Sequence, residues 1–285
     1  MPPARTLPKG TALLLGGGDD DALLALLCEY LRPDTGPVEV VTTAAPRTPV
    51  KTGRAYVDAL HELGCPRAQH LRIDQHHPAD HPATLRRLRN AGAVFFTGGD
   101  QELITEHWLG TPALEVLRER FCHDSCFVLA GTSAGASVVS ASMIVAGHGA
   151  RSLTKGGMHT APGFGLLPHV IVDQHFAERG RFGRLAHAVL QHPAAVGLGL
   201  GQETGVVIEG GRHLQVFGDG VVMVVDGRQL RNDNLGRIGR GEPVAGENLR
   251  VHLLVAGRRL DLSTRRVVAD EGEPARAQSA RTPDE

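Results

Sequence analysis

Short apolar runs alternate with helix-like stretches through the first two thirds of the chain, and this alternation constrains the fold more than any other feature. It predicts parallel strands joined by crossover helices, that is, an α/β class with a mostly parallel, doubly wound central sheet flanked by helices. Beyond about residue 170 the runs become shorter and closer, which predicts additional strands, several of them antiparallel. The predicted strands are Ala12–Leu15, Val38–Thr42, Ala93–Thr97, Phe127–Ala130, Val170–Asp173, Val196–Leu200, Gly205–Ile208, Leu214–Phe217, Val221–Val225 and Leu249–Val255, and the predicted helices are Ala22–Leu31, Val50–Leu63, Ala83–Asn90, Thr111–Phe121 and Arg181–Leu190.

Length and charge narrow the function classes. A chain of 285 residues favours one large domain, which we place at residues 1–270, followed by a polar, unpatterned stretch at 271–285 that reads as a disordered tail. The 30 basic and 31 acidic residues leave a net charge of −1, so overall charge recruits neither nucleic acid nor an anionic membrane. The beginning of the sequence lacks a secretory pattern and no run approaches the ~18 to 20 apolar residues of a membrane span, so we expect a cytoplasmic protein.

Three features suggest a ligand or cross-link at first sight. The four cysteines form no CxxC pair and lie in apolar or helix-like surroundings, which predicts free thiols and no zinc site. The glycines at 16–18 follow the first strand, but three aspartates at 19–21 would repel a pyrophosphate, so we expect a tight turn beside the active-site crevice and no nucleotide. The loop DQHHPADHP at 74–82 lacks helical ligand spacing and predicts a solvated loop without a metal.

The stretch GTSAGAS at 131–137 carries the strongest chemical signal. It satisfies G-x-S-x-G between a buried strand and a helix start, the context of a nucleophile elbow. Small neighbours allow the sharp turn that exposes the hydroxyl of Ser133, and the positive end of the following helix faces the reaction centre. The alternative is a Ser/Gly-rich turn that only closes a strand.

A serine nucleophile needs a base, and His175 is the best placed of the fifteen histidines. It follows the predicted strand Val170–Asp173, at the end where parallel sheets place their sites. Arg179, Arg181 and Arg184 come directly after it. Beside a nucleophile they predict a pocket for carboxylates, since a guanidinium holds a carboxylate by two parallel hydrogen bonds; the alternative is a solvated helix start.

The remaining site residues come from two further loops. Glu203, between two apolar runs, is the candidate that orients the imidazole, although its polar neighbours Gln202 and Thr204 remain alternatives. The loop FFTGGDQ contributes Gly98 and Gly99, whose backbone N–H groups could form an oxyanion hole with that of Ala134. In this arrangement Gln101 faces the substrate.

These stretches, FFTGGDQ, GTSAGAS, VDQHFAERGRFGRL and LGLGQETGVV, together with the closing VAGRRLDLSTRRV, resemble the serine peptidase family of cyanophycinases and peptidase E over about residues 12–268. The resemblance implies an α/β sandwich related to class I glutamine amidotransferases, a homodimer, and no metal or organic cofactor. It implies an exopeptidase that releases β-Asp-Arg dipeptides from cyanophycin, a poly-aspartate with arginine on each β-carboxyl. By the same resemblance the catalytic residues are Ser133, His175 and Glu203, and the substrate pocket is lined by Gln101, Asp173, Gln174, Arg179, Arg181 and Arg184.

Two other functions remain open on the sequence. An aspartyl dipeptidase of the peptidase E type would use the same catalytic residues on small Asp-X peptides. A catalytically silent protein could instead bind acidic peptides with the arginine cluster. The intact serine, histidine and glutamate favour an enzyme, and the three arginines favour the polymer.

Overall fold

The computed structural model describes residues 7–32 and 35–268. The predicted tail at 271–285 lies outside the described residues. Among these residues, we find no helix with the length and hydropathy of a bilayer-spanning segment. In chain order the elements are β1 (Thr11–Leu15), α1 (Asp21–Tyr30), β2 (Val38–Val41), α2 (Pro49–Glu62), β3 (Ala68–Leu71), α3 (Pro82–Asn90), β4 (Ala93–Phe96), α4 (Gln101–Trp108), α5 (Pro112–His123), β5 (Val128–Thr132), α6 (Ala134–Ser137), β6 (Ser142–Ala146), a 3-10 helix (Gly149–Leu153), β7 (His159–Pro162), β8 (Val170–Asp173), α7 (Phe182–Gln191), β9 (Val196–Leu200), β10 (Thr204–Glu209), β11 (His213–Gly218), β12 (Val222–Asp226), β13 (Arg250–Leu254), β14 (Arg259–Asp261) and β15 (Arg266–Val268).

The large sheet has nine strands in the order β15-β14-β11-β10-β1-β5-β4-β2-β3. Its half from β1 to β3 is parallel, and β10 pairs antiparallel with β1 to begin the other half. The predicted α/β class, with a mostly parallel sheet and antiparallel strands in the C-terminal third, is therefore confirmed. Buried β-branched and leucine-rich strands of this kind are apolar on both faces because both faces are covered.

The two faces of β1 show how the layers are built. Leu13 and Leu15 point into a core closed by α1 and α2, whereas Ala12 and Leu14 point into a larger core on the opposite face. That larger core also contains α4, α5 and residues from a second sheet of four strands, ordered β13-β12-β9-β8. The outer face of the second sheet packs against α7. The large sheet is thus covered by α1 and α2 on one face and by α4, α5 and the second sheet on the other, with α7 outside the second sheet.

The pattern of apolar runs in the sequence does not show which strands belong to which sheet. β8 and β9 pair in parallel like the strands of the large sheet, yet they belong to the small one. Several short elements were also absent from the prediction, among them β3, α4 and the β6–β7 hairpin, whereas the predicted helix start at Ala134 is present as α6. The reason is visible in β3, the edge strand, whose sequence AQHL has only its two terminal residues buried and therefore carries little apolar signal.

The prediction of free thiols is wrong for one cysteine pair. Cys28, in the last turn of α1, forms a disulfide with Cys65, which follows α2, with the Cα atoms 6.0 Å apart. Cys122 and Cys126 are free. The two partners are 37 residues apart in sequence and meet because α1 and α2 pack side by side, a relationship that cysteine spacing alone does not reveal.

Candidate active site

Ser133 lies at the sharp turn between β5 and α6. Its backbone has φ 50° and ψ −108°, a conformation that L-residues rarely adopt. The turn depends on Gly135, because a Cβ there would lie 2.1 Å from the carbonyl oxygen of Phe96 on β4. The strand-turn-helix context predicted around GTSAGAS is therefore present, and the half-buried Ser133 side chain projects beyond the carboxyl end of the large sheet.

His175 reaches the serine from the other sheet. It lies two residues after the end of β8, and its Nε2 is 3.0 Å from the Oγ of Ser133, within hydrogen-bonding distance. Phe176 anchors the loop by donating its N–H to the carbonyl oxygen of Leu200 at 3.0 Å, while its ring packs over Gly199. The structure thus brings together two residues that are 42 positions apart, at the place where the two sheets meet.

The turn after β1 holds three site loops by their backbones. The N–H of Ser133 donates to Leu15 O at 3.0 Å, that of His175 to Gly16 O at 2.8 Å, and that of Glu203 to Gly17 O at 2.7 Å. All three donors have positive φ, at 50°, 46° and 53°. Three successive carbonyls therefore position three loops, which explains the glycine-rich turn that the sequence placed beside the crevice.

Gln202, and not Glu203, contacts the imidazole. The Nε2 of Gln202 lies 3.0 Å from the Nδ1 of His175. The Glu203 side chain is exposed and, within the described residues, forms no hydrogen bond or ion pair with His175. In the part of the chain that the structure describes, Glu203 is held at the site by its backbone N–H, which donates to Gly17 O. Sequence reasoning preferred the carboxylate because a charged partner orients a histidine well; its alternative, Gln202, is the residue in contact.

The pKa of His175 lies below its ordinary value. Burial is the main cause, because it disfavours the charged imidazolium, and the cations Arg179 and Arg181 act in the same direction. The carboxylate of Glu178 opposes them. Near neutral pH the imidazole is therefore uncharged and able to accept a proton.

The three predicted pocket arginines have different environments. Arg184 is buried and binds both oxygens of Asp173, with its Nε 2.7 Å from Oδ2. Arg181 is also buried, hydrogen-bonds Gln174 and lies 3.4 Å from Asp173 Oδ1; burial lowers its pKa to about 10. Arg179 is exposed and has no ion-pair partner among the described residues. Two of the arginines thus bind the protein itself, and one faces solvent.

The two predicted pocket glutamines are joined to each other. Gln174 donates from Nε2 to Oε1 of Gln101 at 3.1 Å, and Gln101 donates to the carbonyl of Ile144 at 2.6 Å. Because Arg181 in turn donates to Gln174, a chain of polar contacts runs from the small sheet to the first residue of α4. Gln101 is half-buried, which leaves part of its side chain accessible.

The predicted oxyanion hole consists of backbone groups without acceptors. Among the described residues, no hydrogen bond is made by the N–H groups of Gly98, Gly99 or Ala134. Gly98 adjoins the serine, since a Cβ built on Gly98 would lie 3.5 Å from the Cβ of Ser133. Unpaired donors beside a serine hydroxyl are suited to hold a developing negative charge.

Asp20 stabilises the serine turn through Thr132, the residue before Ser133, a role that the sequence did not suggest. Its Oδ1 accepts from the hydroxyl of Thr132 at 2.6 Å, and its Oδ2 from the hydroxyl of Tyr56 at 2.5 Å. Burial raises the pKa of Asp20 in spite of these hydrogen bonds. The aspartate cluster that argued against nucleotide binding thus ties α1 and α2 to the end of β5.

A serine hydroxyl hydrogen-bonded to an imidazole, beside unpaired N–H groups, is an arrangement used by serine-type hydrolases. Comparisons with known proteins narrow this class. Residues 42–216 match peptidase family S51. A cyanophycinase from Trichormus variabilis is 34% identical over 91% of this chain and 88% of its own length. A cyanophycinase from Geminocystis herdmanii is 30% identical over 92% of this chain and 97% of its own length.

Two solved structures share the fold. A peptidase from an acI-B1 actinobacterium superposes with a TM-score of 0.64 at 21% identity, covering 90% of this chain and 98% of that one. A putative peptidase E protein from Listeria monocytogenes superposes with a TM-score of 0.52 at 15% identity, covering 74% of this chain and 98% of that one. The chain belongs to peptidase family S51 and is a serine-type peptidase.

Proposed function

We propose that the protein is a cyanophycinase, a serine exopeptidase that releases β-Asp-Arg dipeptides from cyanophycin. The observation that carries the proposal is the 3.0 Å hydrogen bond between Ser133 Oγ and His175 Nε2, in a chain whose curated relatives are cyanophycinases at 30 to 34% identity over nine tenths of its length. The polymer offers carboxylates and guanidinium groups in every repeat, and the charged residues around His175 suit such a ligand.

The first half of the reaction forms an acyl-enzyme. His175 Nε2 takes the proton of Ser133 as Oγ bonds to an aspartyl backbone carbonyl carbon. The N–H groups of Gly98, Gly99 and Ala134 hold the resulting oxyanion. His175 then returns the proton to the leaving amine nitrogen, and the C–N bond breaks.

The second half regenerates the serine. Water gives a proton to His175 Nε2 as its oxygen bonds to the acyl carbon. The tetrahedral intermediate collapses, the ester bond to Ser133 breaks, and His175 returns the proton to Oγ. The pKa of His175, lowered mainly by burial, keeps the imidazole neutral at the start of each half-reaction.

Substrate recognition in this proposal begins with Arg179. Its guanidinium is exposed near His175, so it is free to bind a substrate carboxylate by two hydrogen bonds. Gln101 is half-buried at the start of α4 and contributes a second polar contact. Asp173, Gln174, Arg181 and Arg184 support this surface through their mutual contacts.

One observation favours the alternative, an aspartyl dipeptidase. Arg181 and Arg184 are buried against Asp173, so fewer cations face solvent than the sequence suggested. A pocket with one free arginine also suits a small peptide that carries a single carboxylate.

The two activities are separated by assaying both substrates side by side. Purified protein is incubated with cyanophycin and with Asp-X dipeptides, and the products are identified by mass. We expect β-Asp-Arg from the polymer, and Ser133→Ala is expected to lower its release by roughly 10⁴ to 10⁶-fold with an unchanged thermal unfolding profile. Cleavage of dipeptides alone would favour the alternative. Absence of cleavage, with no labelling of Ser133 by a serine-directed phosphonate, would indicate a binding protein.

The homodimer and the cytoplasmic location remain predictions from the sequence. Sedimentation at several protein concentrations tests the first, and fractionation of the producing cell tests the second.

A further inference from the structure

The contact between Gln202 and His175 raises a question of proton placement. A histidine that accepts the serine proton at Nε2 must have a lone pair there, so its own proton is on Nδ1. The group facing Nδ1 must therefore be an acceptor. In the structure that group is the amide nitrogen of Gln202, 3.0 Å away, which can only donate.

A half-turn of the Gln202 amide about its last side-chain bond resolves this conflict. The turn exchanges Nε2 for Oε1, two atoms of nearly equal size, and brings an acceptor to Nδ1. It disrupts nothing else, because Oε1 of Gln202 has no hydrogen-bond donor among the described residues and the side chain is exposed. The two orientations of the amide therefore select the two tautomers of His175.

We propose that Gln202 is the positioning residue of the catalytic histidine, its amide oxygen accepting the Nδ1 proton, so that the site works with serine, histidine and a neutral amide. This rests on the proposed function of Ser133 and His175. Neutral amides orient the histidine in some cysteine peptidases, so a carboxylate is not required by the chemistry.

The backbone around Gln202 is built to hold it. Its N–H donates to Oε1 of Glu178 at 3.0 Å, and its carbonyl accepts from the hydroxyl of Thr204 at 2.9 Å. The next residue, Glu203, is tied to Gly17 at 2.7 Å. The short loop between β9 and β10 is thus fixed on both sides of the glutamine, and Glu178 belongs to the same loop as His175.

The proposal has a consequence for charge. Among the described residues, the charged groups that act on His175 are Arg179, Arg181 and Glu178, and the amide of Gln202 adds no charge to them. The imidazolium formed during catalysis therefore has no carboxylate hydrogen-bonded to Nδ1. A carboxylate placed at position 202 would stabilise this cation and raise the pKa of His175.

The test compares Gln202→Leu, Gln202→Glu, Glu203→Gln and the exposed control Gln229→Leu. For each variant we measure the rate of dipeptide release, KM, the pH profile, the rate of Ser133 phosphonylation and thermal unfolding. Gln202→Leu is expected to lower kcat and the phosphonylation rate about 10²-fold or more with little change in KM or unfolding. Gln202→Glu is expected to remain active, with the acid limb of its pH–activity profile at a pH higher by about one unit or more.

Nitrogen NMR provides a readout that does not depend on turnover. The Nδ1 and Nε2 shifts of His175, assigned with a His175→Asn variant, report its tautomer and its titration. We expect a proton on Nδ1 in the parent and a higher titration midpoint in Gln202→Glu. Glu203→Gln should resemble the parent.

The outcomes separate this inference from the proposed function. Near-parental rates in Gln202→Leu, or a loss in Glu203→Gln as large as that expected for Gln202→Leu, would overturn the role of Gln202. If Ser133 phosphonylation depends on Gln202 but cyanophycin is not cleaved, the positioning role stands and the proposed substrate is wrong.

Discussion

Asp173 and Arg184 form a buried ion pair that closes the loop carrying His175. The Nε of Arg184 lies 2.7 Å from Oδ2 of Asp173, and the two residues are 3% and 1% exposed. One partner is the last residue of β8 and the other lies in the first turn of α7. The pair therefore fixes the two ends of the loop that brings the imidazole to Ser133.

Removing the charge of Asp173 should destabilise the protein. In Asp173→Asn, the guanidinium of Arg184 remains buried without its counterion, and we expect a loss of about 3–5 kcal/mol in the free energy of unfolding. The matched control is Asp58→Asn, which breaks an exposed pair with Arg54 in α2 and should change stability little. Urea unfolding measures both. A raised KM without loss of stability would instead place Asp173 in contact with substrate.

Gly17 should be needed for activity as well as for folding. It has φ 100°, and a Cβ there would lie 2.4 Å from Cε1 of His175. Gly17→Ala is expected to displace the imidazole and lower kcat about 10²-fold, since displacements near 1 Å have effects of that size. The control is Gly110→Ala, where φ is also positive at 73° but where, among the described residues other than its chain neighbours, no atom would lie within 4 Å of the new Cβ. Equal activity in the two variants would contradict this role for Gly17.

The acid limb of kcat/KM should lie below the ordinary histidine pKa of about 6.5. Catalysis needs neutral His175, so activity falls as pH drops through its pKa, and burial with Arg179 and Arg181 holds that pKa low. Arg179→Gln removes a cation and should move the limb to higher pH. Glu178→Gln removes the opposing carboxylate and should move it to lower pH.

Arg266→Gln provides the control for this pair of shifts. Arg266 is exposed on β15, at the opposite edge of the large sheet from β3 and five strands from β5. The pH profile of the Arg266→Gln variant should match that of the parent protein. If both Arg179→Gln and Glu178→Gln left the limb unmoved, these charges would not act on His175.

The disulfide predicts a thiol count. Protein unfolded without reductant should react at two thiols, Cys122 and Cys126, and at four after reduction. The double variant Cys28→Ala/Cys65→Ala should lose about 2–4 kcal/mol of stability, because the bond restricts the unfolded chain. Rapid alkylation of free thiols in the producing cell also tests the location of the protein, since disulfides are rare in reducing compartments. Four reactive thiols in unreduced protein would refute the bond.

Local patterns in the sequence were enough for the class of fold and for the residues with the strongest chemical signal. The apolar runs around β1, β4 and β5 predict buried strands because their composition reflects burial on both faces. G-x-S-x-G around Ser133 predicts a tight turn because only small residues fit it, as Gly135 against Phe96 shows. The position of His175 after a strand predicted a sheet-edge site.

Sequence patterns predicted the longer buried strands, most of the helices, the serine turn and the histidine, whereas the packing of the layers sets which side chains meet. Gln202 and Glu203 are adjacent in a loop that crosses from one sheet to the other, and only backbone geometry decides which side chain reaches His175. The same holds for Cys28 with Cys65 and for the burial of Arg184 against Asp173. Contacts between distant segments depend on how layers pack, which local propensity and spacing do not encode.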